Sequence, residues 1–96
     1  MTDALEVFTL VRFNRKSGKI DTVLEAYGNA MLRMWALQHT TKTKDTMIFS
    51  KASGELVVYI QGTSDFPKLM DKNLGNVEDY CPGLLDALHK QDSDLK

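Results

Sequence analysis

The chain predicts an α+β domain: a small antiparallel sheet of two β-hairpins, with one helix between them in sequence and one or two helices after them. Three observations carry this. Two stretches rich in β-branched and aromatic residues, 5–26 and 46–61, are each broken by a short polar turn ending in Ser-Gly. Between them, residues 29–38 are good helix formers without a β-branched residue and hold the single Trp. After the second stretch comes a Leu-rich run with helical spacing. The predicted order is ββαββα in a single domain spanning residues 1–96.

The first strand covers residues 5–13, and both of its faces are apolar in the middle, so it is expected to be covered on both sides. The turn Asn14-Arg15-Lys16-Ser17-Gly18-Lys19 follows. It is echoed 36 positions on by Ser50-Lys51-Ala52-Ser53-Gly54-Glu55. Each turn follows a Phe, and a left-handed Gly at that place suits a hairpin closed through a bulge, so two similar hairpins are expected. Residues 19–26 form the second strand. The alternative is one long helix over residues 20–38, giving the order βαββα. Against it stand the mid-helix cost of Gly28, about 1 kcal/mol, and the β-leaning residues before it. A helix from Asn29 to His39 is therefore preferred, with Met31, Met34 and Trp35 assigned to the core.

Residues 40–45 are a polar connection, and strands follow at 46–50 and 55–61. Ser64 is expected to cap a short helix over 65–73. A last helix is expected over residues 82–90, with 91–96 as a frayed polar tail.

The totals exclude more than they assign. A lone Cys81 forbids an internal disulfide, and with His39 and His89 it makes no metal-ligand spacing, so neither metal nor cofactor is implied. The start resembles no signal peptide and no apolar run reaches a membrane span, which predicts a cytoplasmic protein without a membrane association. The net charge of −1 divides into +3 over residues 1–51 and −4 over 52–96. So small an excess reads first as halves that attract each other.

Cys81, before Pro82 at the expected start of the last helix, is the sharpest catalytic suspicion. It lacks a base, and the neighbouring Glu78 and Asp79 would raise its pKa. A thiol enzyme or small-ligand protein is thus the third reading. The first is a non-enzymatic interaction or regulatory module, with homodimerisation as one form of it. One helix cannot cover both faces of the sheet, so either the C-terminal helices cover the other, or a second copy or a partner protein packs there with Phe8, Leu10, Val57 or Tyr59 as buried anchors. The second is nucleic-acid binding through the hairpin tips, where Arg15, Lys16, Lys19 and Lys51 would share an edge if the hairpins lie side by side. Solvated turn residues are the ordinary reading of the same cations.

Overall fold

The computed structural model describes residues 6–39 and 41–94, the last four of these by backbone alone. Its elements are β1 (Val7–Asn14), β2 (Ile20–Tyr27), α1 (Ala30–His39), β3 (Lys44–Ser50), β4 (Leu56–Gln61), β5 (Lys68–Met70), a 3-10 turn (Val77–Asp79) and α2 (Leu84–Asp94). The five strands form one antiparallel sheet in the order β2-β1-β3-β4-β5. The α+β architecture and the two hairpins expected from the sequence are present. Gly28, at φ 80°, and Asn29 separate β2 from α1, so no helix runs through residues 20–38.

The two hairpin turns are built alike. In the first, Asn14 N–H donates to the Lys19 carbonyl and Gly18 N–H to the Asn14 carbonyl; in the second, Ser50 N–H donates to Glu55 and Gly54 N–H to Ser50. Both glycines are left-handed, at φ 74° and 78°, and both strand pairs carry an irregularity next to the turn. A hydroxyl at the same place in each, Ser17 and Ser53, accepts from the residue two ahead at 3.2 Å. The short echo in the sequence is thus an echo in three dimensions.

The hairpins join through β1 and β3, whose register runs from Phe8 opposite Ser50 to Asn14 opposite Lys44. On one face, Phe8, Leu10, Ile48, Val58 and Ile60 pack under Leu32 and Ala36 of α1. On the other, Val11, Met47, Phe49 and Leu56 pack under Val77 and Leu88, helped by partly buried Leu74, Cys81, Leu84 and Leu85. The second face is therefore covered from within the chain over β3 and β4. The segment that does this is clamped to the second hairpin: Leu56 N–H donates to the Gly75 carbonyl, Val77 N–H to Gly54, and the Asn76 amide to Ser53. Glu78 accepts from Gly83 and Leu85 N–H at 2.8 and 2.9 Å, satisfying amides at the start of α2.

Two boundaries differ from expectation. Residues 65–73 hold no helix; bends and the three-residue β5 stand there instead. A residue before proline is disfavoured in helical geometry, which applies to Phe66 before Pro67, and β5 pairs with the edge of β4 opposite Tyr59, Ile60 and Gln61. The last helix begins at Leu84, two residues after Pro82, and its backbone continues to Asp94, past the expected end at Lys90.

Candidate interaction surface

Seven of the ten α1 residues are apolar, and one face of a helix can bury only part of such a set. Leu32 and Ala36 point into the sheet. Met31, Met34 and Leu37, each three residues from the next, stand on the opposite side, 76%, 62% and 44% exposed. The assignment of Met31 and Met34 to the core is thereby corrected: a helix lying on a sheet turns one side to solvent, and residues on that side are exposed whatever their hydropathy. Only Trp35 of the three is inside. It packs against the first core cluster and stacks on His39 at 4.2 Å, with the Arg12 guanidinium 5.4 Å from its ring. Arg12 also donates to the His39 carbonyl and to Asp21, so a cation closes the C-terminus of α1. α1 is thus anchored along its inner side and at its end, while its outer side is open.

The basic residues of the first hairpin tip are placed differently from one another. Arg15 donates to Asp45 at 2.7 and 3.1 Å and to the Gly62 carbonyl, and Asp45 also accepts from Tyr59 Oη at 2.6 Å and Gly62 N–H at 3.1 Å. Asp45 is buried. Burial opposes its ionisation, but the Arg15, Tyr59 and Gly62 hydrogen bonds outweigh that and hold its pKa below the usual carboxylate value. Burial, and then the carboxylate it bonds, push the Tyr59 phenol well above its ordinary value. A Cβ on Gly62 would collide with the Thr41 and Lys44 carbonyls, so the glycine is what lets the 41–44 loop reach this cluster. Arg15 is therefore a structural residue, tying the end of β1 to the start of β3 and the end of β4.

Beside it lies a cleft of 190 Å³ lined by Asn14, Arg15, Lys16, Lys42 and Thr43. Lys16 and Lys19 are exposed at the same tip, and Lys42 joins them from the loop after α1. Lys51 does not. Because β1 and β3 are antiparallel neighbours, the two hairpin tips point to opposite ends of the sheet, and Lys51 sits next to Val7 instead, paired with Glu25 at 2.9 Å. The four cations of the sequence reading share no edge.

The proposed sheet anchors are also distributed. Phe8 and Leu10 lie in the core under α1, 9% and 0% exposed, and Val57 packs against the same cluster. Tyr59 is on the other face, between the rings of Phe13 and Tyr80 with its hydroxyl on Asp45. Cys81 is partly buried among the second cluster, and burial together with the Glu78 charge raises its pKa. The His89 ring meets the Lys51 carbonyl, and no pocket among those described joins a histidine to Cys81. Among the described residues there is no group of three or more potential metal ligands, and no helix is long and apolar enough to cross a membrane.

Sequence reasoning missed the outer stripe of α1, Lys42 and Asp45. The stripe was legible, since a helix with only Arg33, Gln38 and His39 as polar residues has too few to face solvent. The Arg15–Asp45 pairing, 30 residues apart, had no local signal. Comparison of the chain with protein-family models, with curated proteins and with solved structures finds no match.

Proposed function

We propose that this protein is a non-enzymatic interaction module that takes a protein partner on the outer side of α1. The observation carrying this is the exposed line of Met31, Met34 and Leu37 on a helix already anchored on its inner side. Methionine side chains adapt to irregular partner surfaces, and a ridge repeating every three residues fits between the ridges of an amphipathic helix. With both sheet faces covered over their central strands, the helix takes over the docking role that the sequence reading gave to the sheet. A reducing, cytoplasmic setting suits the unpaired Cys81.

The test is retention from a native-cell extract by the wild-type chain and by Met31→Glu/Met34→Glu. A protein held by the first and lost by the second, binding with a dissociation constant raised at least about tenfold by the substitutions, is the expected result. Equal retention by both chains overturns the reading. Both substituted positions are exposed, so the variant is expected to melt within a few degrees of the wild type.

A second reading rests on the cleft at the first tip, where Lys16 and Lys42 converge beside Arg15 with Lys19 on the same turn. Such a cluster suits nucleic-acid phosphates. Because Arg15 holds the fold together, the informative variant is Lys16→Glu/Lys42→Glu. Under this reading it abolishes a salt-sensitive retardation of RNA or DNA, and absence of binding by the intact protein at low salt ends it.

A further inference from the structure

The sheet has two edges, and they are made differently. β5 is three residues long, carries Lys68 and follows Pro67, all features that discourage further pairing. β2 is eight residues long, contains neither proline nor lysine, and lies at the other end of the strand order. Its pairing with β1 fixes which backbone groups are open. Gly28 N–H donates to the Glu6 carbonyl, and continuing that register by twos makes Ala26, Leu24 and Thr22 the residues that bond to Phe8, Leu10 and Arg12. Val23, Glu25 and Tyr27 therefore turn their N–H and C=O groups away from the sheet.

We infer that β2 is a self-association edge, pairing antiparallel with β2 of a second copy about a two-fold axis at Glu25, so that the two sheets become one of ten strands. About that axis Glu25 opposes its own copy, and residues 23 and 24 oppose the partner copy's residues 27 and 26. Val23 faces the partner's Tyr27, a β-branched residue against an aromatic, and Leu24 faces the partner's Ala26. Val23 and Tyr27 are 44% and 72% exposed on one face, and Leu24 and Ala26 are only partly buried on the other, so both faces gain apolar contact. The one charged residue between Thr22 and Gly28 is Glu25, and it is already paired with Lys51. At the axis two Glu–Lys pairs come together in place of two bare carboxylates. About six backbone hydrogen bonds form across the new junction. This surface is separate from the outer side of α1, and neither proposal depends on the other.

Sedimentation of the intact chain over a concentration series tests the inference. The expected result is a reversible rise from the chain mass of 10.8 kDa to twice that value. Glu25→Pro removes an outward N–H at the axis without touching a bond to β1, and Val23→Lys/Tyr27→Lys places cations along the edge. Each is expected to weaken the dimer at least about tenfold while the circular dichroism of the sheet is retained. Where Glu25→Pro fails to fold, the lysine variant decides. A chain monomeric at every concentration overturns the inference. So does a dimer that survives the folded edge variants, or one that they leave intact and Met31→Glu/Met34→Glu dissolves.

Discussion

Asp45 shows how one buried side chain can organise three chain segments. It accepts from Arg15, Tyr59 and Gly62 together, and these donors satisfy a carboxylate that would otherwise be costly to bury. Its folded pKa lies below its unfolded one, so its contribution is complete above the ordinary carboxylate range and is lost as pH falls through the folded value. Asp45→Asn is expected to lower stability by about 2 kcal/mol at neutral pH, a figure kept modest because Arg15 is 40% exposed and partly screened. Denaturant titrations of both chains should show that difference narrowing below about pH 4. A gap that is constant with pH would assign the loss to packing. None of this was legible locally. Asp45 stands in a polar connection and Arg15 in a basic turn, and only the antiparallel register of β1 and β3 brings them together.

At the scale of elements, α1 has two sides of similar composition and opposite fates. Leu32 is 4% exposed beneath it and Met34 is 62% exposed above it. Leu32→Ala is expected to cost about 2–4 kcal/mol, and Met34→Ala less than about 0.5 kcal/mol, read as shifts in the denaturant midpoint at constant slope. Equal costs would mean that the outer stripe is covered in solution, as it would be within a complex. The strands, the turns and α1 itself were legible because β-branched runs, two left-handed glycines and the Gly28-Asn29 junction each leave a local mark. Which side of α1 is open left none. β5 escaped because three residues carry too little periodicity, and its pairing is decided by the neighbouring edge of β4. The candidate site was read from types of residue, and it moved once their positions were known: Arg15 into the framework, Lys51 to the far end of the sheet, and Phe8 and Leu10 into the core.

For the whole molecule, the two hairpins meet along one seam, β1 against β3. Each hairpin closes over a turn of a few residues, whereas the seam joins positions separated by 30 residues at Asn14–Lys44 and 42 at Phe8–Ser50. Closing those longer loops costs chain entropy before any contact repays it. The seam is thereby expected to be the slow event in acquiring the fold, with the hairpins forming early and separately, the sheet zipping at β1–β3, and α2 docking on the surface made there. Ile48→Val, in the seam, is expected to slow refolding. Leu88→Ala, in α2, should chiefly speed unfolding, a contrast that stopped-flow chevrons would read directly. On that expectation, the twin turns at opposite ends of the sheet give the chain two fast local steps and one shared slow one.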